Sequence, residues 1–398
     1  MNPAFAAIVW ITGALLSLCG AVTYAELARL RPQAGGLYIY IRDGHGGVAA
    51  FVFGWIALFV NIAGTVAALA AAAAGILHDA LLPSIPQGWL AAGITVGLGL
   101  VNLLPTRRGG DLQGWTAAIK FGGVLLFAVL LISRAPWSGH GALAAAVHAP
   151  LPHADFVVAL VAVLWAFEGW QYVTCAAGET RDARKSMAFG LVLGVVALGL
   201  AFLITSVAVT LWLNQTELAT SANVVESALR KAGFPILALV VTGILPIAVL
   251  SAAHATLFTG SRVVYAMAGD HLLPASFARV NGRTGIPVLA VVVCTLIATV
   301  LAALGSFETL LAYVIVTSWF FYGLAGAAMF RIPRAGNARS RWVQLAAILF
   351  CVGAAGVMLF GLFSGPASAR YGLAIAAVGW IVALLWFRLT RGRSELSR

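Results

Sequence analysis

The segment Trp165-Ala166-Phe167-Glu168-Gly169-Trp170 sets a carboxylate and a glycine inside an otherwise apolar run. Glycine accepts backbone conformations that a Cβ forbids, so Gly169 eases local unwinding and lets backbone groups face a cavity. A charge in hydrocarbon costs about 2.5–3.5 kcal/mol on insertion scales, so Glu168 is expected to face protein or water. Two readings of the segment stand: a ligand-facing break, or an ordinary kink in which Glu168 makes a structural hydrogen bond. Trp170 fits either, since aromatic rings in helix bundles mostly pack. Lys120, within Trp115-Thr116-Ala117-Ala118-Ile119-Lys120-Phe121, can snorkel to an interface or, desolvated, exchange a proton. His254, within Ser251-Ala252-Ala253-His254-Ala255-Thr256, can join a proton path or simply satisfy a neighbouring helix.

Other chemistries lack their residues. There is no H-E-x-x-H, no nucleotide-binding glycine loop and no G-x-S-x-G, so neither an enzyme nor a cofactor is expected. His140, His148 and His153 share one stretch but are too sparse for a metal site, and none is expected. Cys19, Cys175, Cys294 and Cys351 lie in or at the ends of apolar segments without metal-type spacing and read as free thiols.

These groups need a scaffold, and composition defines its solvent. Of 398 residues, 62% are hydrophobic and 9% charged, too few charges to clothe a water-soluble globule. The surrounding solvent must be lipid. The apolar runs last about 20 residues or more, the length that crosses about 30 Å of hydrocarbon as a helix, whereas a barrel would show shorter alternating segments. The 43 glycines, spread through these runs with Ala, Ser and Thr, suit close helix packing in a bilayer. Runs bounded by charge, Pro or Gly clusters predict eleven helices near 5–27, 48–77, 88–104, 115–133, 155–177, 187–213, 235–262, 287–305, 307–330, 342–363 and 371–387. The first run is too long for a signal-peptide core and ends at Glu26 without a cleavage-like site, so it reads as a true span.

The net charge of +11 is dispersed in short loops, which argues for membrane topology rather than a nucleic-acid partner. Nineteen Lys and Arg fall in one alternate set of loops, from Arg29, Arg31 and Arg42 through Arg331 to Arg341 and the C-terminal tail. Four, Arg134, Arg230, Lys231 and Arg370, fall in the other. The positive-inside rule puts the richer set, and the C-terminus, in the cytoplasm. Eleven spans then start Met1 outside, and a further helix upstream would return both ends to the cytoplasm. A chain missing its first span is therefore the expectation, against a native eleven-helix protein that starts outside.

The stretch Tyr24-Ala25-Glu26-Leu27-Ala28, Pro32-Gln33-Ala34-Gly35-Gly36-Leu37-Tyr38-Ile39-Tyr40-Ile41-Arg42 and Phe51-Val52-Phe53-Gly54-Trp55 resembles the join between the second and third helices of amino acid permeases. These belong to the amino acid-polyamine-organocation superfamily. Phe167-Glu168-Gly169-Trp170 with Gly178-Glu179-Thr180 is similar to the sixth helix, and Gly260-Ser261-Arg262 through Leu273-Pro274 to the end of the eighth. The resemblance covers nearly the whole chain. It implies an all-α polytopic bundle of two five-helix inverted repeats plus two helices, with substrate at mid-membrane where the first and sixth helices unwind.

On that pattern 1–133 is the remnant of a first repeat, 155–330 the second repeat and 342–387 the two additional helices. The family's first helix has no counterpart here, which agrees with the loop charges. The resemblance implies a secondary active transporter of amino acids or related organic amines in the cytoplasmic membrane, working by proton coupling or exchange. The alternative is a truncated, non-transporting remnant or accessory membrane protein. The resemblance further implies that Phe167 gates the site, that Gly169 lies at the break, that Lys120 replaces a coupling sodium ion, and that Asn61, Trp319 and Tyr322 lie near substrate. Glu26, Arg42 and Glu179, at cytoplasmic helix ends, are expected to make gate or topology contacts. Without its first helix, the chain is expected not to carry out normal coupled uptake.

Overall fold

Each of the eleven apolar stretches is helical in the computed structural model, which describes residues 3–135, 153–221, 223–305, 307–334, 339–364 and 369–396. The expectations on Met1, His140, His148 and Arg398 lie outside the described residues. The chain starts with α1 (Pro3–Leu30), then a short α2 (Leu37–His45). The next span is α3 (Gly47–Ile56), a π-helical turn (Ala57–Ile62) and α4 (Ala63–Ala80). There follow α5 (Gln87–Val101), α6 (Thr106–Ser133) and α7 (His153–Ala166), which passes through a turn into a 3-10 helix (Trp170–Glu179). The second half holds α8 (Ala183–Thr210), two short helices α9 (Gln215–Thr220) and α10 (Val224–Lys231), and the long α11 (Pro235–Gly269). It closes with α12 (Val288–Leu304), α13 (Phe307–Ala327), α14 (Arg341–Ser364) and α15 (Ala369–Leu396).

The helices α2, α9 and α10 were not expected, because they sit in connections too short or too polar to show an apolar run. Local signals account for two of them. Asn214 caps α9 by accepting from the Glu217 N–H at 2.9 Å, while the Glu217 carboxylate accepts from the Asn214 N–H at 2.8 Å. Asn223 caps α10 by accepting from the Glu226 N–H, without the reciprocal bond.

Seven helical segments among the described residues are long and apolar enough to cross a membrane, and three shorter ones are apolar. Their outward faces are also apolar, as with Leu15, Leu100, Phe189, Leu200, Ile236 and Val352, all exposed. A surface of this kind is stable against lipid and not against water.

Within the bundle α1 runs along α8, α4 packs on α11, and α5 on α12. Small residues allow these approaches. A Cβ at Gly20 of α1 would stand 2.6 Å from the Trp170 ring, and one at Gly260 of α11 would stand 2.5 Å from Ile62. The main core lies where α1, α2, α3, α13 and α14 converge around Tyr24, Tyr40, Phe53, Tyr322 and Phe350. It holds the 3-10 helix against α1 and α13, and so fixes one wall of the site.

Candidate functional site

The α-helical pattern of α7 stops at Ala166, residues 167–169 form a turn, and the 3-10 helix continues the span. Gly169 sits at φ +118°, a left-handed region that a residue with a Cβ reaches only with strain, so the glycine makes the break possible. A ten-residue 3-10 run is long for this conformation, so the second half of the span is wound more tightly than the first.

Beside this break lies a cavity of about 440 Å³ lined by Thr65, Lys120, Trp165, Glu168, Gly169 and Tyr172, together with small and apolar residues. Each wall is one face of one helix. Ala252, Ala255, Thr256 and Thr259 follow the three-four spacing along α11; Thr65 and Leu69 do so on α4. Trp165, Glu168, Tyr172 and Val173 carry the same face from α7 into the 3-10 helix.

Glu168 is the acidic residue in this lining. Its Oε1 accepts from the Tyr322 hydroxyl at 2.5 Å, and that hydroxyl lies 3.1 Å from the Tyr172 hydroxyl. Because Tyr322 gives its proton to the carboxylate, Tyr172 is left to donate to Tyr322. The chain Tyr172, Tyr322, Glu168 thus points every proton toward one carboxylate oxygen. Glu168 Oε2 is shielded from solvent and has no hydrogen-bond partner among the described residues. Lys120 contributes the basic group to the same cavity, without reaching that oxygen.

The structure therefore brings together Glu168, Gly169 and Lys120, with Tyr322 directly behind Glu168. It does not bring the remaining expected residues to the cavity. Phe167 is buried on the far side of the break, its ring 5.4 Å from Phe202 and 6.2 Å from Trp10; the side chain facing the cavity is Trp165. Trp170 packs on Tyr24 and Phe350, and Trp319 on Tyr322 and Phe350. Asn61 sits in the π-helical turn and accepts from the Ser318 hydroxyl at 2.9 Å, tying that turn to α13. His254 meets Asn102 at 2.9 Å and joins α11 to the end of α5.

Trp165, Tyr172, Thr65, Thr256 and Thr259 were missed by the sequence reading. The available signal was the run Ala252, Ala255, Thr256, Thr259, a small, partly polar stripe on an otherwise apolar helix.

A larger cavity of about 490 Å³ lies between α1, α7, α8 and the α9–α10 connection. Among the described residues its lining is apolar apart from the Trp10 indole N–H and the hydroxyls of Thr205, Ser206 and Thr210, with no titratable side chain to orient a charged ligand. Of these two cavities, the one at the break carries titratable side chains, Glu168 and Lys120, among the described residues.

The arginine-rich end of the bundle is built differently. Arg262, only 2% exposed, pairs with Glu179 at 2.9 Å and lies over the Phe258 ring at 3.9 Å. Arg334 pairs with Glu26 at 2.7 Å, so α1 is tied to the segment after α13. Arg42 reaches Asp270 at 2.7 Å and Asp43 at 2.9 Å, and Tyr38 donates to Asp270 at 2.7 Å. Burial works to lower the Arg42 pKa, but the bonds to Asp270 and Asp43 outweigh it and leave it raised. Glu26, Arg42 and Glu179, expected at helix ends, thus all join elements distant in sequence.

A lipid-facing helix bundle whose broken helix presents an ionisable group to an internal cavity has the construction of a secondary transporter. The model of the amino acid permease family matches residues 1–386, and the chain belongs to that family. It is 24% identical over 338 residues to the b(0,+)-type amino acid transporter 1 of Homo sapiens, covering 82% of this chain and 69% of that one. It is 23% identical over 348 residues to the serine/threonine exchanger SteT of Bacillus subtilis (strain 168), covering 84% and 77%. The large neutral amino acids transporter small subunit 2 of Mus musculus is 26% identical over 391 residues, covering 94% and 72%. The protein is a multi-pass membrane transporter of the amino acid class, of a family whose named relatives are transporters rather than enzymes.

Proposed function

We propose that the protein moves amino acids or related organic amines across the cytoplasmic membrane, by proton coupling or by exchange, and that substrate is held in the cavity beside the break at residues 167–169. The observation that carries this reading is the 440 Å³ cavity beside the unwound segment, lined by Glu168, Lys120 and three threonines. Broken helices place unpaired backbone groups and charges at the centre of a bilayer, where they can replace the hydration of a charged substrate. Glu168, Gly169, Lys120 and Tyr322 act at the cavity in this reading. Phe167, Trp170, Asn61, His254 and Trp319 hold the surrounding helices in place, and catalysis has no part.

The repeats proposed at 1–133 and 155–330, followed by two helices at 342–387, draw support from packing. Helices α1, α4 and α5 each lie against the helix of the same rank in the second set, α8, α11 and α12. A pseudo-two-fold axis between inverted repeats would bring such partners together.

The test is uptake of a mixed radiolabelled amino acid pool into proteoliposomes, by the 398-residue chain and by a version extended through the reading frame upstream of Met1. Saturable uptake by either version supports transport; none by both refutes it. Orientation is tested separately by thiol labelling in intact cells. Asp182→Cys should resist an impermeant reagent from outside, and labelling there would place the arginine-rich loops on the wrong side.

A further inference from the structure

We propose that the seam between α1 and α8 holds a phospholipid of the surrounding bilayer, with an acyl chain along the helices and its ester end in the cavity under the α9–α10 connection. That cavity, of about 490 Å³, lies within the usual range for a small-molecule site, about 300–1,000 Å³. Four elements wall it: α1, α7, α8 and the connection, through Leu218 of α9 and Val224 and Val225 of α10. A second cavity, of about 180 Å³, continues from it between α1 and α8, and Trp10 lines both. Ile11, Leu15, Val196 and Leu200 line this second cavity and are exposed on the outward face, so the seam opens sideways onto the lipid-facing surface.

Length and polarity both select an amphiphile with one long apolar part. Along α8 the two linings run from Thr210 back to Val195, about 22 Å at about 1.5 Å per residue. Half of a hydrocarbon core of about 30 Å is about 15 Å, so the seam is long enough for an acyl chain of one leaflet. Its polar atoms cluster at the end nearest the connection. Thr210 gives its proton to the Val207 carbonyl at 2.8 Å, and the Thr205 hydroxyl oxygen is shielded. The Ser206 hydroxyl and the Trp10 indole N–H are left as donors at that end. An ester carbonyl only accepts, and so matches them. Among the described residues neither lining carries a titratable side chain, so a zwitterionic amino acid or a fatty acid carboxylate would lose its hydration there without a charged partner. The inference does not depend on what the break binds.

The experiment incorporates the protein into vesicles of palmitoyl-oleoyl phosphatidylglycerol and phosphatidylethanolamine, extracts it, and exchanges it repeatedly into phospholipid-free detergent. Native mass spectrometry then counts the phospholipid that stays bound. The unaltered protein should keep a single phospholipid per chain, and adding the same lipids back after complete stripping should raise its unfolding temperature. Ala162→Phe puts a ring into the cavity from an exposed alanine of α7, and should lower retention several-fold and reduce that rise. Ser206→Ala should shed the lipid faster. Val352→Phe, on the open outward face of α14, should change neither reading.

Loss of all phospholipid from the unaltered protein during exchange overturns the proposal without needing any variant to fold. Unchanged retention by an Ala162→Phe protein that unfolds cooperatively overturns it as well. A dimer that holds no phospholipid and that Ala162→Phe dissociates assigns the seam to a second copy of the chain and also overturns it.

Discussion

At the arginine-rich end of the bundle Glu26, Asp43, Glu179 and Asp270 each meet an arginine, while at the central break Glu168 meets the hydroxyl of Tyr322 and its other oxygen has no hydrogen-bond partner among the described residues. Both regions put charge into a low-dielectric bundle, and they treat it in opposite ways. Paired charges at the end join segments far apart in sequence, Glu26 to Arg334 and Glu179 to Arg262, and so fasten that end of the bundle. The carboxylate at the break is held by Tyr322 alone and has no arginine or lysine against it among the described residues. The difference separates residues that fasten the bundle from those proposed to act at its centre.

The largest effect is expected where the fastening is most buried. Arg262 is 2% exposed and Glu179 about a third, so removing Glu179 strands a guanidinium that water cannot reach. Glu179→Ala should cost about 3 kcal/mol, near the lower end for breaking a buried pair because the acid itself is partly solvated. Arg262→Met, which leaves the carboxylate free to hydrate, should cost clearly less. Thermal unfolding in detergent ranks the two, and the reverse order would remove the idea that the buried arginine sets the stability of this end.

A medium effect is expected at the break. Tyr322→Phe deletes the donor to Glu168 and should weaken substrate competition on the order of tenfold to a hundredfold, the range for one hydrogen bond to a charged group, with little change in thermal stability. A large loss of stability with unchanged affinity would make Tyr322 a fastening residue instead. Smaller still is Ser318→Ala, which removes the donor to Asn61 and should cost about 1 kcal/mol without changing substrate preference.

The smallest effect concerns the connection between α8 and α11. The Glu217 pKa is lowered by its hydrogen bond to Lys231, then by the Asn214 N–H, and that of Glu226 by Thr242 and then Arg230. A depressed carboxylate contributes stability above its unfolded pKa, about 4.3, and loses it as the pH falls through the folded value. Amide exchange in 214–231 should therefore be unchanged between pH 8 and 6, after correction for intrinsic rate, and rise only below the ordinary carboxylate range. A rise already at pH 6 would show that other groups hold this connection.

Much of the scaffold was legible because lipid enforces a simple pattern: all eleven expected apolar stretches are helices, and Gly169 with Glu168 foretold the break. The short helices α2, α9 and α10 escaped because they bury little apolar length. The π-helical turn at Ala57–Ile62 escaped because nothing in Ala57-Leu58-Phe59-Val60-Asn61-Ile62 distinguishes it from α-helix; Ser318, 257 residues away, is what engages Asn61 there. Phe167 and Trp165 show the same limit at the site. At a break the helical register is lost, and which of two nearby aromatics faces the cavity depends on the turn geometry rather than on spacing. His254 had two readings in sequence, a proton path or contact with a neighbouring helix, and its partner Asn102, at the end of a different helix, is not visible from spacing.

The central claim, that substrate occupies the cavity at the break and not the larger apolar one, is tested most directly by thiol protection. In a background with Cys19, Cys175, Cys294 and Cys351 replaced, Thr256→Cys places a thiol in the first cavity and Ser206→Cys places one in the second. Labelling of each by a small thiol reagent is timed with and without a saturating mixture of alanine, valine, leucine and phenylalanine. The account predicts that the amino acids slow labelling at Thr256→Cys several-fold and leave Ser206→Cys unchanged. Protection at Ser206→Cys with none at Thr256→Cys would contradict it.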